Sequence, residues 1–366
     1  MTVSEKVGIA GAGSIAFGTA VLLCENGHDP MLWSPSGAGT ADIAAGSALT
    51  AKGAIEATHN VRVASSAESL ARDNDTLIIA LPGYGHKAIM DALADHIRQD
   101  QHVIVSSHVS LGAIYLGNLL KKRGVSAPIT AWGTTVVTGR RQSGTEVHVN
   151  TLRKLVDICT VPERKSANAR DLCERLFGDR FQPRDGLLAI SLSNLNPQNH
   201  MGIALGNMTR MERGEIWSQG QNVTPNVGRL LEALDAERQA IAATLGLEVR
   251  TIFEHFHLSF HVPVASISEM NQQMHTLGNG GTGPTTADSR YVKEDVPYGL
   301  GLTVVLGDMV GCPAELHRAG IRIFSAMYGV DFMAENELLI TLTPDQYSLD
   351  DLQQAARTGL LEPSSA

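Results

Sequence analysis

Short apolar runs punctuate the first half of the chain, and the gaps between them are long enough for helices. Lys6-Val7-Gly8-Ile9-Ala10 ends at a glycine turn, residues 15–25 carry a helical pattern closed by Gly27, and Pro30-Met31-Leu32-Trp33 is apolar again. Strand, helix and strand are the elements this predicts. Further runs at 61–64, 76–81, 103–106 and 129–132 repeat the rhythm, which is that of a parallel, doubly wound α/β sheet of Rossmann type. From about Leu187 the texture changes to helical patterns and glycine-rich connections, so the boundary is expected near Pro183 to Gly186. The expected layout is an α/β nucleotide-binding domain over 1–185 and an all-α domain over 186–366.

In the second half, Thr224-Pro225 reads as an N-cap followed by a first-turn proline. Val227, Leu230, Leu231 and Leu234 then form one apolar stripe, with Glu232, Asp235 and Arg238 expected to face elsewhere, until Gly246 ends the helix. Further helices are expected at 301–310, 314–328 and 348–358.

Length agrees with two domains, because 366 residues exceed what a single core comfortably organises. The chain is 43% apolar and 18% charged, and no run approaches the roughly 18 apolar residues of a membrane span. The first residues show no basic stretch leading into an apolar one, so a soluble, cytoplasmic protein is expected, with a homodimer as the default assembly. A net charge of −9 works against binding a phosphate backbone, which sets nucleic acid aside as a partner. Cys24, Cys159, Cys173 and Cys312 are scattered without a Cys-x-x-Cys pair, as core thiols would be.

The strongest local chemistry is the turn Gly11-Ala12-Gly13-Ser14-Ile15-Ala16 between the first strand and the first helix. Gly11 allows the tight turn, Gly13 lets the backbone approach a pyrophosphate, and Ala16 takes the small position where helix meets sheet. Ser14 and Ile15 open the helix whose N-terminus would face the phosphates. An NAD-specific site places a carboxylate at the end of the second strand, yet the run there is Trp33-Ser34-Pro35-Ser36-Gly37. Hydroxyls at Ser34 and Ser36 without a repelling carboxylate favour NADP(H), with NAD(H) as the alternative. Pro82 and Gly83 follow the strand that ends near Leu81, at the crevice edge of the sheet, and His86 beside them is a candidate substrate contact.

Two polar clusters in the second half do not read as packing. One is Ser193-Asn194-Leu195-Asn196-Pro197-Gln198-Asn199-His200, and the other runs from Ser289-Arg290-Tyr291 through Lys293-Glu294-Asp295 to Gly299. A histidine with a carboxylate behind it moves protons well, because the carboxylate fixes the tautomer and supports the imidazolium. Such a pair is the candidate catalytic device. His255, His257 and His261 have a spacing that suits a strand or loop, and no metal site is expected from them. Arg140-Arg141 reads either as a carboxylate clamp or as a solvated loop, and the glycine-rich stretch 277–283 as a hinge or lid.

The order of these blocks resembles the octopine/nopaline (opine) dehydrogenase family across roughly residues 6 to 332. The blocks are the glycine turn, Pro82-Gly83-x-x-His86, Asn196-Pro197-x-x-His200, Gly283-Pro284-Thr285, Arg290-Tyr291 and Glu294-Asp295-Val296-Pro297-Tyr298-Gly299. The resemblance implies an NAD(P)H-dependent oxidoreductase that joins an amino acid or amine to a 2-oxo acid through an imine. It implies His200 as general acid/base and Asp295 as the group that orients it. Arg290 and Tyr291 become carboxylate or cofactor contacts, Asn196 an anchor for the oxo acid, and Thr134 a further substrate-side residue. Where the family commonly carries an acidic residue near that point, this chain reads Ala131-Trp132-Gly133-Thr134, which puts an arginine-like donor in doubt.

Ketopantoate-type and glycerol-3-phosphate-type reductases share the two-domain plan but place a catalytic lysine in the helical domain. After Lys165 this chain has only Lys293. A nicotinamide-binding sensor without turnover is the remaining alternative.

Overall fold

A computed structural model describes residues 4–362. The chain forms two compact units, one made of the segment up to Ser191 together with the segment from Asp350, the other of Leu192–Leu349. This differs from the expected division at 185/186, and the last segment belongs with the first unit. The reason is packing on the final helix, Leu349–Thr358. Its Leu352, Ala355 and Ala356 are buried, and Arg357 pairs with Asp185 at 2.7 Å and Glu163 at 3.4 Å. Beyond it the Leu361 N–H donates to Asn118 Oδ1 at 3.1 Å. A Cβ on Gly117 would overlap the Gly359 carbonyl, so two glycines let these segments touch backbone to backbone.

Among the described residues twelve strands build the first unit: Lys6–Ala10 (β1), Asp29–Trp33 (β2), Leu49–Gly53 (β3), Ala57–His59 (β4), Arg62–Val63 (β5), Thr76–Ile79 (β6), His102–Val105 (β7), Ile129–Trp132 (β8), Val137–Arg141 (β9), Glu146–Leu152 (β10), Val156–Val161 (β11) and Phe181–Pro183 (β12). Eight of them form one sheet in the order β12-β11-β8-β7-β6-β1-β2-β5. Five of the six runs read as strands in the sequence are its parallel centre, and their apolarity reflects burial on both faces; the run at 61–64 supplies only the edge strand β5, where Arg62 is exposed. The sheet is not parallel throughout, because β11 runs antiparallel to β8.

The chain leaves β8 to make β9 and β10, which join β3 and β4 in a second, four-stranded sheet before β11 returns. That sheet packs on the helix Ser14–Glu25: a Cβ on Gly18 would stand 3.0 Å from Val137 and 3.6 Å from Val149. With sheets on two sides, the helix is buried from Ala16 to Leu23 without a polar face. All four cysteines are free thiols. Among the described residues no helix is long and apolar enough to cross a membrane.

Burial holds three histidines of this unit well below their ordinary value, His86 and His102 at about 4 and His108 at about 3. Their bonds suit the neutral ring. His86 Nε2 donates to the Leu81 carbonyl at 3.0 Å, and His108 Nε2 accepts the Ala113 N–H at 3.1 Å, an acceptance that protonation would abolish. In the unfolded chain the same rings take up protons near pH 6.5, so stability present above that pH is lost as it falls toward 4. The slope expected is about 1.4 kcal/mol per pH unit for each ring. Thermal melting between pH 7.5 and 5 checks this, and His102→Gln is expected to remove about a third of the slope; an unchanged slope would refute the assignment.

The second unit is helical. Its central helix, Pro225–Thr244, buries Leu231 and Leu234 as the stripe predicts. Asp235 and Arg238, expected to face away, are buried instead and bonded to each other at 2.6 Å. His255 and His257 lie in the helix Ile252–Phe260, not in a strand or loop, and His261 caps its end. Thr251 and Glu254 start that helix with a reciprocal capping box. The stretch expected to be a hinge is tied down on residues 217–220: Gln219 N–H donates to Gly281 O at 3.1 Å, Gly220 N–H to Gly280 O at 2.8 Å, and Gly283 N–H to Trp217 O at 3.0 Å.

Candidate active site

The dinucleotide turn is built by the meeting of β1, β2 and β6. Gly11 donates to the Trp33 carbonyl at 2.8 Å, holds φ at +145°, and leaves no room for a Cβ, which would overlap the Ala80 carbonyl oxygen. Ala16 is fully buried, 3.2 Å from that Cβ position. A Cβ at Gly13 would meet nothing within 4 Å, so the backbone there is open to a phosphate. The helix begins at Ser14 with no side-chain cap, leaving the N–H groups around Ser14 and Ile15 for an anion. Ser34 Oγ is buried without a hydrogen-bond partner just beyond β2, and Ser36 is exposed nearby. These residues fit a dinucleotide. Pro82 and Gly83 lead from β6 into a short turn.

His86, expected as a substrate contact, is fully buried and folded back on Leu81, so its visible work is to hold the Pro82-Gly83 turn. Thr134 is half-buried in the β8–β9 connection.

In the second unit the two polar clusters come together. The helix Asn196–Glu212 starts with Pro197 and carries His200 in its opening turns. Opposite, the short helix Arg290–Lys293 runs into a wide π-helical turn, Asp295–Leu300. Gly299 makes the approach work, since a Cβ there would overlap the Pro197 ring. The turn is held from its other side by Tyr298 Oη donating to Glu335 O at 2.9 Å and Asn336 Nδ2 donating to Pro297 O at 2.8 Å.

The result is a bond of 2.6 Å between His200 Nδ1 and Asp295 Oδ2 across 95 residues of sequence. Both side chains are largely enclosed, at 14% and 9% exposure. The Tyr291 ring stacks on the imidazole at 3.6 Å and 10°, and its hydroxyl donates to Gln219 Oε1 at 2.5 Å. With Nδ1–H given to the carboxylate, Nε2 is the ring nitrogen left able to take up or release a proton. Gln198, two residues before His200, donates to Asp235 at 2.9 Å and anchors the start of the helix to the buried Asp235–Arg238 pair. Asn196 is half-buried, its backbone N–H bonded to Asn194 Oδ1 at 3.1 Å. Arg290 is 60% exposed and 3.8 Å from Glu294.

Residues 183–328 match the family model described as NAD/NADP octopine/nopaline dehydrogenase, alpha-helical domain, and residues 7–156 match that of ketopantoate reductase PanE/ApbA. An opine dehydrogenase from Arthrobacter sp. (strain 1C) is 28% identical over 345 residues, covering 93% of this chain and 95% of the relative. The second half of the chain thus carries the helical domain of the octopine/nopaline dehydrogenase family. Among solved structures, octopine dehydrogenase in complex with NADH and agmatine is similar at TM-score 0.81 and 15% identity, over 99% of this chain and 100% of that one. Yersinopine dehydrogenase with NADP+ bound is similar at TM-score 0.69 and 15% identity, over 97% and 98%. The family's chemistry makes this protein an NAD(P)-dependent oxidoreductase acting on CH–NH bonds.

One basic residue stands beside the glycine turn at a place the sequence does not give. Arg141, read as a clamp or a solvated loop, reaches from β9 to the Ala12 carbonyl at 2.8 Å. The pairing of β9 with β10 and their packing on the helix Ser14–Glu25 bring it there, and no local pattern gives that placement. Gln219, under the Tyr291 hydroxyl, also lacked a local signal.

Proposed function

We propose that the protein condenses an amino acid or amine with a 2-oxo acid and reduces the resulting imine to a secondary amine, using NADPH in preference to NADH. The observation that carries the proton chemistry is the enclosed His200–Asp295 bond of 2.6 Å, faced by the Tyr291 ring. Amine and oxo acid first combine to a carbinolamine, which loses water to become the imine. His200 Nε2 supplies the proton that lets the hydroxyl leave and takes one back from the amine, while Asp295 holds the ring and balances its charge. The dinucleotide, when its pyrophosphate is held at the turn from Gly11 to Ala16 with Pro82 and Gly83 beside the nicotinamide, supplies the hydride. One oxo acid, one amine, one NADPH and one proton give the secondary amine, NADP+ and water.

Asn196 is assigned to the oxo acid, and Tyr291 holds the imidazole plane. Arg290 and Thr134 are assigned to substrate carboxylates. The preference for NADPH rests on Ser34, whose buried hydroxyl stands where an NAD site carries a carboxylate. A catalytic lysine, as in reduction of a carbonyl to a hydroxyl, finds no support in Lys293, which is 54% exposed and paired with Asp288 at 2.5 Å.

The test follows oxidation of NADPH and NADH with pyruvate or 2-oxoglutarate, with and without a panel of amines and amino acids. Oxidation that requires the amine is the expected result, with neutral donors preferred to arginine because no carboxylate stands in Ala131-Trp132-Gly133-Thr134. Turnover with the oxo acid alone would make the protein a carbonyl reductase, and tight cofactor binding without turnover would make it a sensor.

A further inference from the structure

We propose that Arg141 is the residue that reads the 2′-phosphate of the dinucleotide, reaching the ribose site from the four-stranded sheet and not from the loop after β2. The proposal rests on the preference for NADPH inferred above and adds the cation which that reading lacked.

Position is the first argument. The Arg141 guanidinium donates from Nη1 to the Ala12 carbonyl at 2.8 Å and from Nη2 to the Gly39 carbonyl at 3.1 Å. Ala12 lies inside the glycine turn and Gly39 in the loop that follows β2, the two segments that flank the adenosine ribose in a Rossmann unit. Ser34 is the first residue after β2, and its Oγ is buried without a partner. Arg141 Nη1 and Ser34 Oγ each lie 3.6 Å from the point where a Cβ on Gly39 would stand, so both border the same small gap. Gly39 itself is required there, because that Cβ would be only 2.6 Å from the Ala12 methyl.

Donor count and charge are the second argument. Nε donates to Ser143 O at 2.7 Å, so with the two bonds above three of the five N–H groups are spent and one on each terminal nitrogen remains. Two adjacent N–H groups on a planar fork are what a phosphate takes. All three bonds go to backbone carbonyls and none to a carboxylate, and Asp42 lies against Gly144 instead. The guanidinium is fixed from its other face by the Phe17 ring, 4.8 Å from its carbon. A charge held in place in this way loses little entropy on meeting an anion.

Calorimetric titration with 2′,5′-ADP and 5′-ADP, which differ only in the 2′-phosphate, tests this without any turnover. The wild-type protein is expected to bind 2′,5′-ADP the more tightly. Arg141→Gln is expected to lose about tenfold or more on 2′,5′-ADP and less than about twofold on 5′-ADP. Arg141→Lys keeps the charge without the fork and is expected to fall between. Equal losses on both ligands would mean that Arg141 only staples β9 to the glycine turn, and would overturn the proposal. A wild-type preference that survives Arg141→Gln would overturn it while leaving the NADPH reading intact; a wild-type preference for 5′-ADP would overturn both. Should Arg141→Gln melt early, Ser34→Ala is the second probe, expected to weaken 2′,5′-ADP alone by a few fold.

Discussion

Replacing His200 by alanine is expected to lower turnover by about a hundredfold or more while leaving the dissociation constant for NADPH within about twofold. The two halves of that expectation have separate causes. The dinucleotide residues, from Gly11 to Ala16 with Ser34, all belong to the first unit, whereas His200 and Asp295 belong to the second. Removing the imidazole therefore takes away the proton exchange at Nε2 and leaves the phosphate-binding turn as it was. Asp295→Asn is expected to act in the same direction, because a carboxamide can accept from Nδ1–H or donate to a bare Nδ1, and the tautomer is no longer specified. Steady-state kinetics beside a fluorescence titration of NADPH separate the two effects. Near-normal turnover in His200→Ala would remove its assigned role, and an equal loss of cofactor binding would mean that the variant is damaged elsewhere.

The second large effect concerns stability. Arg238→Ala is expected to cost about 3–5 kcal/mol, since it leaves a buried carboxylate without its counter-charge. The Asp235 and Arg238 side chains are 5% and 3% exposed. Asp235 Oδ1 accepts from Gln198 at 2.9 Å and from Arg238 at 2.6 Å, and Oδ2 accepts the Ile252 N–H at 2.9 Å. Arg238 also donates to the carbonyls of Leu192 and Arg250, both at 2.5 Å. Burial pulls the guanidinium below its ordinary value while Asp235 pulls it back up. The pair thus binds four chain segments into one polar knot, and truncating it removes a donor from the Leu192 carbonyl and leaves the Arg250 carbonyl with Gln239 alone. Urea denaturation measures the loss. Replacing both partners with apolar residues, as in Asp235→Leu with Arg238→Met, is expected to recover much of it, because both charges then leave together. A loss below about 1 kcal/mol in Arg238→Ala would place the pair among ordinary surface contacts.

The main sheet was legible because its strands are apolar on both faces and separated by helix-length gaps, as Leu77-Ile78-Ile79 and Val103-Ile104-Val105 illustrate. The second sheet was not, since β10 reads Glu146-Val147-His148-Val149-Asn150 and buries only alternate residues. That alternation is itself the pattern of a half-buried strand, but it is short, falls outside the apolar rhythm of the main sheet and does not say which strands it pairs with. Asp235 and Arg238 were misplaced for a related reason: charges three apart on a helix ordinarily mark its wet side, and nothing local reveals a second layer over them. The helix Ile252–Phe260 was hidden by its run of aromatic and histidine residues, although Thr251 and Glu254 spell a capping box at its start. His200 and Asp295 were chosen by family resemblance, and their contact depends on Gly299 admitting Pro197, a fact of shape that no spacing expresses.

The return of the helix Leu349–Thr358 to the first unit sets an order of events during synthesis. A chain emerging from the ribosome presents β1 to β12 well before the final segment, whose Arg357, Gly359 and Leu361 meet Asp185, Gly117 and Asn118, so the nucleotide-binding half waits, incomplete, while the entire helical half is made. Cutting the gene after residue 191 would reproduce that waiting state permanently, and a self-sufficient cofactor-binding fragment has to rejoin 350–362 to the shortened chain.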